Sequence, residues 1–270
     1  MNPEVLLMPS TLNTHAENAI AELRAAWQQP GAGYNSYGGP RHQPIAGGPQ
    51  DQPALAGVEN PLWEIIRWLP ASKPWYDGGL LEPDSYPADL GDLRRWEPFG
   101  VARRDLVTRY AWSIISPGDV AWIVEQLGGR AVVEVGAGSG YWAWQLEQAG
   151  IDVAAYDPHP PAEGNAYCKH GTWTTVLPGG AQVAAEYPDR ALLMVWPPYE
   201  GEHAEEALRA YRGDLLIFAG EGQYGCTADD GFYELLDAEW VEVSVAPQHV
   251  TFWGIHCQLA AYRRKNGEAS

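Results

Sequence analysis

Three glycines at alternate positions, Gly136, Gly138 and Gly140, follow the apolar run Val132–Val135. Glu134 lies inside that run, and Asp157 stands 21 residues after Gly136. Each residue type has a physical use in holding a nucleoside. Gly136 lets the chain leave a strand in a tight turn. Gly138 removes a side chain where a ligand must approach the backbone, and Gly140 permits close packing of the next helix. The start of that helix presents free N–H groups. Asp157, at the end of the following strand, can accept both hydroxyls of a ribose, and its charge argues against a 2′-phosphate.

The run Glu134-Val135-Gly136-Ala137-Gly138-Ser139-Gly140 resembles motif I of the class I S-adenosylmethionine-dependent methyltransferases. An acid two residues before the first glycine, and the even glycine spacing, fit that family better than the dinucleotide-binding fingerprint. The resemblance covers roughly residues 115–264. It implies S-adenosylmethionine as cofactor and S-adenosylhomocysteine as product. Glu134 would sit near the methionine end. Gly136, Ala137, Gly138, Gly140 and Tyr141 would face the cofactor, and Asp157 would hold the ribose. The segment before the first strand, Arg109-Tyr110-Ala111-Trp112-Ser113, would close over the cofactor, with Tyr110 and Ser113 reaching the methionine carboxylate. Thr172-Trp173 would lie near the adenine edge.

A second motif, Trp196-Pro197-Pro198-Tyr199, follows the fourth apolar run. Ligands of open α/β sheets bind beyond the carboxyl ends of the strands, which places this tetrapeptide at the reaction centre. It resembles the D-P-P-Y or N-P-P-Y motif of amino-methyltransferases. That resemblance implies a proline-fixed backbone carbonyl aimed at a target nitrogen and a tyrosine stacked on a planar acceptor. Trp196 departs from the motif, because an indole donates a hydrogen bond and cannot accept one. Catalysis is therefore assigned to Trp196, Pro197 and Tyr199, with Glu221 after the fifth strand orienting an amine or acting as a base. Glu200, Glu202 and His203 surround the same place, and His249 and His256 in the last loop are candidate bases. No metal-ligand spacing occurs, so no metal is predicted.

These residues need a scaffold. From Arg130 onward the pattern alternates between strand and helix. Strands are expected at 131–135, 151–156, 172–176, 191–195, 214–219, 240–245 and 257–262. Helices are expected at 139–148, 181–187, 204–211 and 229–236, with Asp229-Asp230 capping the last. The fold class is α/β: a Rossmann-like, doubly wound, mostly parallel sheet with an antiparallel closing hairpin. Before it, residues 1–114 form an extension of helices and Gly/Pro-rich loops, acting as a lid or homodimer contact. Helices are expected there at 13–28, 60–68 and 99–115, and a further one from the Ser116 cap to Leu127. Residues 265–270 form a tail. Six of the 13 tryptophans fall in the extension, where they fill a small core.

Bulk properties narrow the partners. The 270 residues carry 35 acidic against 17 basic side chains, a formal charge of −18. Such a surface disfavours nucleic acid and anionic membranes. No apolar run spans a bilayer, no secretory signal opens the chain, and three scattered cysteines suit a reducing cytoplasm. The expected activity is methyl transfer to nitrogen or oxygen of a small molecule or short peptide. The alternatives are an amino-methyltransferase acting on nucleic acid and a non-catalytic cofactor-binding or partner subunit.

Overall fold

The computed structural model describes residues 52–67, 103–161, 164–168, 170–252 and 255–265. The expected helix at 13–28 and the turn-rich stretch at 71–96 lie outside them. In chain order the helices are α1 (Pro61–Ile66), α2 (Arg103–Arg109), α3 (Pro117–Leu127), α4 (Tyr141–Gln148), α5 (His203–Ala210) and α6 (Asp230–Glu239). A short 3-10 helix covers Ala181–Glu186. The strands are β1 (Val132–Val135), β2 (Val153–Asp157), β3 (Val176–Pro178), β4 (Ala191–Val195), β5 (Leu215–Gly220), β6 (Trp240–Val245) and β7 (Gln258–Arg264).

The strands form one seven-stranded sheet in the order β3-β2-β1-β4-β5-β7-β6. All pairings from β3 through β5 are parallel, and β7 is antiparallel to both β5 and β6. This is the expected doubly wound class. The closing hairpin is turned inward: β7, last in sequence, sits inside the sheet, and β6 is the edge. Every residue of β5 is buried, as is β4 up to Met194, because helices cover both sheet faces. One face packs Leu62, Trp63, Tyr110, Ile123 and Trp142 against Val132 and Leu193. The other packs Leu208, Tyr211, Phe232 and Leu236 against Val133, Leu192 and Phe218.

Two expectations need correction. The helix expected over 99–115 is α2 alone among the described residues; 111–116 are non-helical. The segment after α2 is instead held by side chains of α4 and the turn before it. Trp142 Nε1 donates to the Ser113 carbonyl at 3.1 Å, and the Ser139 hydroxyl donates to the Tyr110 carbonyl. The third strand begins at Val176, where the expected run 172–176 ends. The Trp173 amide instead bonds the Ser139 carbonyl at 2.8 Å, tying that stretch to the glycine turn.

The α1 and α3 caps follow their sequence signals. Asn60 Oδ1 accepts from the Trp63 amide at 2.9 Å and from the Tyr141 hydroxyl at 2.7 Å. Ser116 and Asp119 form a reciprocal capping box on α3.

Candidate cofactor and reaction site

The strand order reverses beside β1, whose neighbours are β2 and β4. In open α/β sheets, ligands bind beyond the strand ends at such a switch point. The glycine turn lies there. Gly136, Gly138 and Gly140 all have positive φ, at 80°, 55° and 70°. The turn is anchored to β2 by the Gly136 and Ala137 amides, which donate to the Tyr156 carbonyl at 2.8 and 2.9 Å. A Cβ on Gly140 would stand 2.8 Å from Val176 Cγ2, so this glycine admits β3 as well as starting α4.

Asp157 ends β2 and is 6% exposed. Its Oδ2 accepts from the Gly138 amide at 2.8 Å, and Oδ1 accepts from the His159 amide at 2.9 Å and Asn165 Nδ2 at 3.2 Å. Burial pushes its pKa up, against the His159 and Gly138 hydrogen bonds and the nearby His203 and His159 imidazoles. A carboxylate offers about four acceptor positions, so one remains for a ligand hydroxyl. Asn165 and Cys168 form a cover over this place that sequence reasoning missed. Cys168 Sγ would be 3.0 Å from a Cβ on Gly138, and burial pushes its thiol up to about 12.

Glu134 is 1% exposed, and its Oε2 has no hydrogen-bond partner among the described residues. Burial, reinforced by Asp157 and Glu147, outweighs a hydrogen bond from the Ala143 amide and raises its pKa to about 8. The same lack of a partner holds for His203 Nε2, Tyr110 Oη and Arg109 Nε. Buried polar atoms without partners are uncommon in proteins. Glu134 flanks the glycine turn in sequence, and His203 Nε2 lies 3.9 Å from the Cβ position of Gly136. A ligand bearing both donors and acceptors fits the turn.

The aromatic residues assigned to the cofactor are brought together, though partly for packing. Tyr110 stacks on Trp173 at 5.4 Å between ring centroids, and Tyr141 meets both edge-on. The Tyr141 hydroxyl is committed to Asn60 and to the Leu62 amide, and Trp173 Nε1 to the Arg109 carbonyl. Ser113 does not join the turn by its hydroxyl, which instead lies 3.2 Å from Cys257 Sγ.

The second motif also has a strained backbone. Trp196 has φ of 50°, a left-handed conformation uncommon for a bulky residue. Its amide donates to the Ala219 carbonyl at 2.7 Å. The Pro197 carbonyl accepts from the Ala228 amide at 2.9 Å, and Pro198 bridges to Thr227. Tyr199 is 57% exposed and is free to stack on a flat molecule. Glu221 is buried, with Oε2 accepting from the Cys226 amide at 2.6 Å and Oε1 from the His256 amide at 2.9 Å. It clasps two loops together. His249 is fully enclosed between Asp119 and Cys257.

No family model and no curated protein matches the chain. Among solved structures, 133 chains match. The magnesium protoporphyrin IX methyltransferase of Synechocystis PCC 6803, with bound S-adenosylmethionine, is 18% identical over 54% of this chain and 76% of its own, with a TM-score of 0.36. The 1,6-didemethyltoxoflavin-N1-methyltransferase of Burkholderia thailandensis is 21% identical, covering 56% and 77%, at 0.35. A TehB-like S-adenosylmethionine-dependent methyltransferase of Corynebacterium glutamicum is 17% identical, covering 55% and 88%, at 0.38.

Proposed function

We propose that the protein binds S-adenosylmethionine on the glycine turn and transfers its methyl group to a small molecule or short peptide. One observation carries this reading. The turn at the sheet's switch point is flanked by Glu134 Oε2 and His203 Nε2, which have no partner among the described residues, with the Asp157 carboxylate bonded to the Gly138 amide. That set suits a ligand with an ammonium at one end and a hydroxyl at the other. Glu134 would hold the α-ammonium, Asp157 a ribose hydroxyl, and Arg109 the carboxylate. The cofactor supplies an already activated methyl group. The protein's part is to align the acceptor and exclude water. Exposed Tyr199 offers a stacking surface for a flat acceptor.

Calorimetry with S-adenosylmethionine and S-adenosylhomocysteine tests the reading, and binding of neither rejects it. Mass spectrometry of metabolite pools incubated with methyl-labelled cofactor then seeks the acceptor. A second reading, a non-catalytic binding subunit, is favoured by the engagement of Glu221 and of the Pro197 carbonyl by backbone amides. Tight cofactor binding with no labelled product from any pool supports it. The nucleic-acid reading is disfavoured by the charge of −18 and by that engaged carbonyl.

A further inference from the structure

His203 opens α5, immediately after the Trp196–Glu202 turn. Its side chain is half-buried, yet Nε2 itself is enclosed and lacks a partner among the described residues. It approaches the glycine turn from the sheet face opposite to α4. Nε2 stands 3.9 Å from the Cβ position of Gly136, and the ring is near enough to Asp157 to act on its carboxyl group. Glu134 approaches the same turn from the α4 side, where the Ala143 amide bonds it. The turn at Gly136 thus has His203 on one sheet face and Glu134 on the other, with Asp157 at the end of the neighbouring strand.

Resting on the cofactor reading above, we propose that His203 faces the sulfonium and reacting methyl of bound S-adenosylmethionine and sets the preference between methylated donor and demethylated product. The reason is connectivity. In this cofactor a single atom, the sulfur, joins the ribose to the amino-acid chain. A ligand held at Asp157 and Glu134 must carry that sulfur across the glycine turn, where His203 Nε2 stands near Gly136. An imidazole nitrogen can offer an acceptor lone pair there, which suits the positive charge of the donor. The product is neutral at sulfur and gains nothing from that lone pair. A fixed positive charge at the same place would oppose the donor and spare the product.

The test is the ratio of donor to product affinity, measured by calorimetry at about pH 8 on the full chain. His203→Lys is expected to weaken S-adenosylmethionine at least about tenfold relative to S-adenosylhomocysteine. His203→Glu shifts the ratio in the opposite direction, and His203→Gln leaves it within about twofold of wild type. Glu206→Lys, exposed on the same helix, changes the net charge and leaves the ratio unmoved. Wild type binding both ligands, with an unmoved ratio in His203→Lys and His203→Glu, overturns the proposal and leaves the cofactor reading standing. Wild type binding neither ligand rejects the cofactor reading itself. Should the charged variants not fold, imidazole nitrogen resonances of wild type decide. The His203 signal, assigned by its loss in His203→Gln, must differ between the donor and product complexes. Identical positions in the two overturn the proposal.

Discussion

A carboxyl group enclosed as Glu134 is keeps its proton past neutrality, with its pKa pushed to about 8 by burial. A ligand ammonium placed on Oε2 would reverse that, because an opposite charge favours the ionised form. Binding at about pH 6.5, where an α-amino group is charged, is therefore expected to release close to one proton per site. Calorimetry in buffers of different ionisation enthalpy measures that number. Zero proton release with tight binding would remove Glu134 from the ammonium site. Glu134→Gln preserves shape and removes the charge. It is expected to raise unfolding resistance above pH 8 and to weaken cofactor binding about tenfold or more. At Asp157 the expectation differs, because its carboxylate already anchors Gly138. Asp157→Ala is expected to lower both cofactor affinity and thermal midpoint, whereas Asp157→Asn keeps an acceptor oxygen and loses less of each. Equal affinities for wild type and Asp157→Ala would end the ribose assignment.

At the scale of elements, the turn between β1 and α4 depends on backbone conformations open chiefly to glycine. Gly140→Ala would combine a φ of 70° with a Cβ 2.8 Å from Val176 Cγ2. Conformational strain alone costs about 1–2 kcal/mol, and the contact adds to it. Urea unfolding of Gly140→Ala, Val176→Ala and the double variant separates the two: relief in the double variant measures the steric part, and strict additivity would show that only φ matters. This turn is legible in the sequence, since Gly136, Gly138 and Gly140 are spaced by local geometry. So are the apolar run of β4 and the alternating run of β6, which match the observed strands at both ends. Contacts made at long range are not legible there. The apolar spacing of 99–115 suits a helix, but Trp142 and Ser139 bond the carbonyls of Ser113 and Tyr110 and hold them non-helical. The Asn165–Cys168 cover has no periodic signal. Nor does the sequence show that the Glu221 carboxylate accepts from the Cys226 and His256 amides.

The whole molecule is closed by a buried network that joins parts far apart in sequence. His249 Nδ1 lies 3.1 Å from Asp119 Oδ2, and its Nε2 lies 3.4 Å from Cys257 Sγ. Asp119 also accepts from the Ser116 amide at 2.8 Å, so the network ties the start of α3 to the last loop and to the entry of β7. Burial by itself would depress the imidazole; the Asp119 charge, with Cys257, outweighs it and raises the pKa from 6.5 to about 10. Below about pH 6.5 the imidazole is protonated in both folded and unfolded chains, and the pair contributes in full. From 6.5 to about 10 the unfolded chain gives up the proton first, so stability falls as pH rises. Above about 10 the contribution is gone. Glu134 gives a slope of the same sign in a lower window, between its ordinary 4.5 and about 8. The charge of −18 adds a general repulsion. Differences between variants separate these effects. The stability gap between wild type and His249→Gln is expected to be a few kcal/mol at pH 6.5 and to narrow steadily toward pH 10. The gap for Glu134→Gln should change only below about pH 8. Urea midpoints across pH 5–10 for the three proteins provide the check. A wild type to His249→Gln gap that stays constant over that range would mean that the imidazole is neutral in the fold, and that packing and hydrogen bonding alone hold the last loop.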